Sequence, residues 1–171
     1  SYTMSDGNGE TASATSSITI AGANDAPTSV NDSYALTEDT PKTVSVADGV
    51  LANDDDVDGD AMTAVLVSGP AHGSLAFSPD GSFTYTPEAN YAGQDSVTYK
   101  ANDGTTDGAL ATVTLSVAPV DDPPVAESDV KSVAEDSGAT ALDVLANDTD
   151  VEGDAIQILS VTQPSHGTVV I

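Results

Sequence analysis

The 171-residue sequence contains no cysteine, no arginine and no tryptophan. Without cysteine there is no disulfide to staple the fold and no thiol chemistry. The basic residues are three lysines, Lys42, Lys100 and Lys131, against 28 acidic residues, for a formal net charge of −25. Such a chain lacks the cationic face that nucleic acid requires. An anionic membrane surface repels it for the same reason. No apolar run approaches the length of a bilayer span, so no membrane insertion is expected, and no signal peptide opens the chain. If the protein is exported, its signal lies elsewhere, and the sequence then reads as an internal fragment. Aromatic residues make up only 4% of the total, and few aromatics with high charge is a signature of disorder. Against disorder, 39% of residues are hydrophobic, and they alternate with Thr and Ser as strands with one buried face do. Repulsion among so many carboxylates opposes a compact state unless something neutralises them, and multivalent cations are the obvious agent.

What the sequence does have is an internal repeat. Leu51-Ala52-Asn53-Asp54 returns as Leu145-Ala146-Asn147-Asp148, and Pro70-Ala71-His72-Gly73 as Pro164-Ser165-His166-Gly167, both offset by 94. Asp6-Gly7 matches Asp103-Gly104, and Asn24-Asp25-Ala26-Pro27 matches Asp121-Asp122-Pro123-Pro124, both offset by 97. The chain therefore divides into the last strands (F and G) of one repeat at 1–26, a complete repeat at 27–121, and the first half (strands A to D) of a third at 122–171. The Pro-containing segments Ala23 to Pro27 and Pro119 to Pro124 are short linkers that proline makes stiff.

The complete repeat reads as seven short strands between turn clusters. They are A at Ser33–Leu36, B with Val44 and Val46 on one face, and C through Met62–Val67. D carries Leu75 and Phe77, E is Ser82–Thr86, F includes Val97 and Tyr99, and G is Ala111–Val117. No window has helical period. The class is all-β, with tandem immunoglobulin-like Greek-key sandwiches, one complete and two partial.

Strands that alternate in direction sort the acids to two poles. Glu38, Asp39, Glu88, Asp95 and linker Asp121 and Asp122 collect at the bottom. Asp54, Asp55, Asp56, Asp58 and Asp60, with Asp103 and Asp107, collect at the top beside linker Asn24 and Asp25. The third repeat brings its own B–C loop, Asp148, Asp150, Glu152 and Asp154, to the bottom of the complete one. Each junction thus gathers carboxylates from two repeats and a linker. That crowding is costly unless a cation sits among them. Oxygen-only ligands with flexible geometry favour Ca²⁺ over magnesium or transition metals. Asp54-x-Asp56-x-Asp58-Gly59 also matches the first half of an EF-hand loop, although its twelfth position would be Val65 where that loop needs Glu. Asp, Asn and Gly are turn formers as well, and acidic turns alone keep strand edges soluble.

At these residues the chain resembles the bacterial cadherin-like repeats, including VCBS-type repeats, of very large secreted adhesins. The resemblance rests on Val50-Leu51-Ala52-Asn53-Asp54 with Asp56-Val57-Asp58-Gly59-Asp60, on Pro70-Ala71-His72-Gly73, on Phe83-Thr84-Tyr85-Thr86-Pro87 and on Asn24-Asp25-Ala26-Pro27. It implies a Greek-key sandwich with calcium at the junctions, on the bacterial cell surface, serving adhesion or biofilm. By likeness, Glu38 is the A-strand glutamate, Asp95 lies near the acidic E–F motif, and Asp121 and Asp122 are linker aspartates. Asp148 and Asp150 are then the paired aspartates of the following repeat, and Asp103 is the F–G aspartate. Gln94-Asp95 supplies fewer carboxylates than the cadherin motif, which implies one or two ions per junction rather than three.

No catalytic constellation accompanies this. His72 and His166 occupy equivalent turns a full repeat apart and cannot meet in one site, so no enzyme is expected. Tyr85 and Tyr99 alternate into the core, while Tyr91 is left as a surface candidate for sugar. Three functions fit: a calcium-rigidified spacer whose partners are neighbouring repeats, a module binding cell-surface glycan or protein, or a subunit of an extracellular filament joined through its ends.

Overall fold

The computed structural model describes all 171 residues. An antiparallel hairpin comes first, β1 (Tyr2–Ser5) and β2 (Thr11–Ala14). The complete repeat follows as a two-sheet sandwich. One sheet has four strands in the order β3 (Asp32–Thr37), β9 (Ala111–Ala118), β8 (Gly93–Asn102), β5 (Thr63–Ser68). The other has three, in the order β4 (Lys42–Val44), β7 (Phe83–Pro87), β6 (Gly73–Phe77). All neighbours are antiparallel except β3 and β9, which run parallel because the sixth strand after the first again points downward.

The period-two pattern does what it implies. On β9, Ala111, Val113, Leu115 and Val117 face inward between exposed or half-buried polar residues, and Val97, Tyr99 and Ala101 do the same on β8. Phe83 and Tyr85 answer from the opposite sheet, and Tyr34 meets Phe83 edge to face, with ring centroids 5.0 Å apart. Each fully buried side chain of this size contributes about 1.5–3 kcal/mol.

Strand B is shorter than the sequence suggested. It ends at Val44, and Val46 opens a single 3₁₀ turn (Val46–Asp48) with its side chain 55% exposed. The turn is held by the Tyr34 hydroxyl, which donates to the Asp48 carbonyl at 2.8 Å. Val50 fills the core place instead, its N–H bonded to the Gly81 carbonyl at 3.0 Å.

The flanking parts form less than expected. Strands F and G of the first segment are present as the β1–β2 hairpin, in the register of the complete repeat: Tyr2 faces Ala14 as Tyr99 faces Ala111. Ile18 and Ile20, counterparts of buried Leu115 and Val117, lie beyond this ladder and are 86% and 89% exposed. Residues 122–171 contain none of the expected strands A to D; the one ladder contact is the bridge of Val125 with Thr149. The pairing scheme supplies the reason. In the complete repeat A pairs with G, B and D pair with E, and C pairs with F. None of A to D pairs with another, so counterparts of these four have no ladder to join and their amides stay with water.

Candidate metal centres at the repeat junctions

Each junction is built from a linker and the B–C loop that follows it. In the complete repeat that loop turns on Asp56, whose Oδ1 accepts the N–H groups of Asp58 (3.0 Å) and Asp60 (3.1 Å). Gly59 closes the turn at φ 77°, in the left-handed region that glycine occupies without a Cβ penalty. The third segment repeats the device. Asp150 Oδ1 accepts the Asp154 N–H at 2.9 Å, and Gly153 sits at φ 79°.

The loops then capture their linkers in the same way. Asp58 Oδ2 accepts the Asp25 N–H at 2.7 Å, and Glu152 Oε2 accepts the Asp122 N–H at 3.2 Å. These are equivalent positions in the two copies. At the upper junction Asn24 also donates to Asp103 Oδ2 at 2.9 Å. Asp103 Oδ1 accepts the Thr105 and Thr106 amides at 2.6 Å, and these donors together hold the carboxyl below its ordinary range.

Two tight groups of carboxylate oxygens result. Asp56, Asp58 and Asp60 each bring an oxygen within 4.8 Å of the others, and so do Glu38, Asp122 and Glu152. Glu38 is only 2% exposed, and its Oε1 accepts the Val120 N–H at 2.8 Å, which leaves Oε2 free of that bond. Burial pushes the Asp122 carboxyl upward, and the charges of Asp39, Glu38, Asp121 and Asp150 push in the same direction. Asp121, Asp122, Asp150 and Asp154 line an open cleft of about 350 Å³ beside that group. One oxygen in each group, Asp56 Oδ2 and Asp122 Oδ2, is enclosed without any hydrogen-bond partner. An enclosed, unpartnered carboxylate oxygen among further carboxylates is an arrangement that a hard cation satisfies, and the all-oxygen donor set suits calcium.

Three of the candidate ligands hold hydrogen-bond donors of their own repeat. Asp95, 5% exposed, accepts from the amides of Ala71 (2.9 Å) and Ser96 (2.8 Å) on Oδ1, and from the His72 amide (2.8 Å) and Tyr85 hydroxyl (3.0 Å) on Oδ2. Burial opposes its charge, yet these four donors outweigh it and hold the carboxyl below its ordinary range. Asp54 Oδ1 accepts the Val30 N–H at 2.8 Å, and both its oxygens lie 3.1 Å from the Tyr99 hydroxyl. Asp148 holds the Glu127 N–H at 2.8 Å, the equivalent bond in the next copy. Asp95 and Asp54 thus tie loops to β8, while Asp148 ties its loop to the segment after the linker. Asp39 keeps one oxygen for the Asn90 N–H at 3.2 Å while facing the Asp122 group.

Sequence reasoning placed Asp60 and Glu152 among the junction acids but gave neither a ligand role; the structure puts both in the tight carboxylate groups. Their alignment with Asp154 and Asp58 was the signal available for both. It also passed over Asp32, which shares the Tyr99 hydroxyl with Asp54 and is pushed up to about 6, first by burial and further by the Asp54 charge.

Comparison with known proteins follows the same lines. No curated protein matches the sequence. Among solved structures, an endo-fucoidan hydrolase of glycoside hydrolase family 107 shows 24% identity and a TM-score of 0.39, over 60% of this chain and 15% of that one. A nucleoside hydrolase-related hypothetical protein from Saccharophagus degradans shows 18% identity and a TM-score of 0.38, over 56% of this chain and 26% of that one. This chain therefore spans about a quarter or less of the length of either. Residues 121–171 match the family model of a bacterial Ig domain. Residues 24–119, more than half of the chain, match that of the bacterial cadherin-like domain, and the chain belongs to this family.

Proposed function

We propose that this chain is a spacer of a large extracellular bacterial surface protein, in which calcium at each junction fixes one repeat against the next. The observation that carries this reading is the enclosed Asp122 Oδ2, unpartnered and surrounded by Glu38, Asp39, Asp121, Asp150 and Glu152. Those acids come from the complete repeat, the linker and the following loop, so one ion held among them ties three segments together. Asp56, Asp58 and Asp60, with linker Asn24 and Asp25, form the corresponding set above. The ion supplies charge neutralisation and nothing catalytic. Surface projection, with support of adhesion and biofilm, follows from a stiff array of such units, whose immediate partners are neighbouring repeats.

Calcium titration by calorimetry tests this, together with melting in calcium and in chelator. Binding on the order of 10⁻⁴ to 10⁻³ M is expected for an extracellular module. At one hundred times the dissociation constant each site then adds roughly 2.7 kcal/mol to the folded form. Asp122→Asn with Glu38→Gln should remove the lower site and leave the upper one. A melting temperature that chelator does not move would overturn the proposal.

A further inference from the structure

The turn between β1 and β2, Asp6-Gly7-Asn8-Gly9-Glu10, holds the sole Asn-Gly pair of the chain. Both residues are exposed. Asp6 Oδ1 pins the turn by accepting the N–H groups of Asn8 (2.8 Å) and Glu10 (3.2 Å). The Gly9 amide between them donates to nothing in the protein. Gly9 sits at φ 103°, has no Cβ to hinder approach to its nitrogen, and has open space where a Cβ would lie.

The other asparagines are protected. The amide that follows Asn24, Asn53, Asn90, Asn102 or Asn147 is in each case a hydrogen-bond donor: Asp25 to Asp58, Asp54 to Leu51, Tyr91 to Glu88, Asp103 to Thr106 and Asp148 to Leu145. Each is also followed by a residue with a Cβ. Asn31 spends its side-chain oxygen on the Thr112 N–H at 2.8 Å.

We propose that Asn8 is a site of spontaneous deamidation, through which this loop gains a carboxylate as the protein ages outside the cell. The Gly9 nitrogen attacks Asn8 Cγ. The N–Cγ bond forms, the Cγ–Nδ2 bond breaks, and the proton of Gly9 leaves with Nδ2 as ammonia. Water then opens the cyclic imide at one of its two carbonyls. Opening at Cγ gives aspartate, and opening at the main-chain carbonyl gives isoaspartate, whose backbone is one carbon longer. Nothing is oxidised or reduced, and water is the one co-reactant. At the equivalent turn of the complete repeat the reaction has no counterpart, because Thr105 replaces Asn8 on the same pinned turn, with Asp103 holding its amide. The lengthened isoaspartyl backbone breaks the Asp6-centred turn and loosens the β1–β2 ladder.

The test is incubation of the full chain at mildly alkaline pH, followed by Lys-specific digestion and fragment mass spectrometry of peptide 1–42. Isoelectric focusing runs alongside. The expected result is a time-dependent gain of one negative charge, mapped to residue 8 as a mixture of aspartate and isoaspartate. The other six asparagines should lag at least severalfold. Asn8→Thr, which copies the neighbouring repeat, should slow the charge gain to the rate of the other asparagines. Conversion at residue 8 no faster than at Asn24 or Asn90, or a charge gain as fast in Asn8→Thr as in the parent, would overturn the proposal.

Discussion

Asp95→Ala separates a structural carboxylate from a calcium ligand. The substitution deletes the acceptor shared by the Ala71, His72 and Ser96 amides and the Tyr85 hydroxyl. Hydrogen bonds to a charged acceptor are roughly twice as strong as neutral ones, and an orphaned buried donor costs about 1–3 kcal/mol. The four losses do not add. Ala71, His72 and Ser96 are exposed residues, so water can reach their amides. The Tyr85 hydroxyl can turn its proton wholly to the His72 carbonyl, 2.9 Å away. A net loss of about 2–4 kcal/mol is therefore expected. Asp95→Asn should cost less, because one oxygen survives, but its amide nitrogen must face an N–H donor whichever way it is turned. Urea unfolding followed by tyrosine fluorescence reads the effect. With slopes of about 1–3 kcal/mol per molar urea, the midpoint should fall by about 1–2 M. The drop should be the same in calcium and in chelator. A drop confined to calcium would make Asp95 a ligand and refute the reasoning, and so would a neutral Asp95→Ala. The acid side offers a second reading: a carboxyl held below its ordinary range stabilises the fold above that range and loses the contribution as pH falls through its folded value.

Asp32 should behave in the opposite sense. Its folded value of about 6 lies above the ordinary 3.8, so the native state binds the proton more tightly and stability falls as pH rises from about 4 to 6. Asp32→Asn should flatten that fall in melting temperature measured across pH; an unchanged slope would show that the Asp32–Tyr99–Asp54 contact does not govern it. Gly73→Ala places a methyl group 2.5 Å from the Thr86 carbonyl oxygen and 2.7 Å from the Tyr85 ring, contacts with backbone and a fixed core side chain. It should cost about 1–3 kcal/mol in the same urea assay, and a neutral result would mean that strands β6 and β7 can part without penalty.

The alternating strands were legible because burial follows period two: Val113, Leu115 and Val117 alternate with Thr112, Thr114 and Ser116, and all three are buried. The two-pole sorting of acids was legible too, since it needs only the count of strand reversals. The anchoring of Asp95 was not legible, because residue type and pole cannot show that four donors converge on one carboxylate. The Asp54–Tyr99 contact was hidden for a related reason: a place in a half EF-hand pattern says nothing of Tyr99, which arrives from a strand 45 residues later. Val46 was read as strand because β-branched alternation continued, while the turn that ended it depended on the distant Tyr34 hydroxyl. The strands expected after residue 122 were carried over from the complete repeat by its 94- and 97-residue offsets. An offset specifies which segments correspond and not a ladder, and the ladder partners of A to D all lie in E to G.

The same wiring at both junctions bears on where stiffness comes from. Asp25 gives its N–H to Asp58, and Asp122 gives its N–H to Glu152, so each linker is already bonded to the repeat that follows it. A proline follows at both places, directly after Asp122 and two residues after Asp25. Proline fixes φ and offers no N–H, so few alternative donors near the linker compete for the loop carboxylate. A residue before proline is also confined to extended backbone, which applies to Asp122 itself. The linker therefore loses much of its freedom before any cation binds. What remains unsettled by these bonds is the repulsion among Glu38, Asp39, Asp121, Asp122 and Asp150. The linker and loop order themselves against each other, but neither bond reaches the preceding repeat. A cation held by Glu38, Asp122 and Glu152 would remove the electrostatic opposition and add the tie to that repeat.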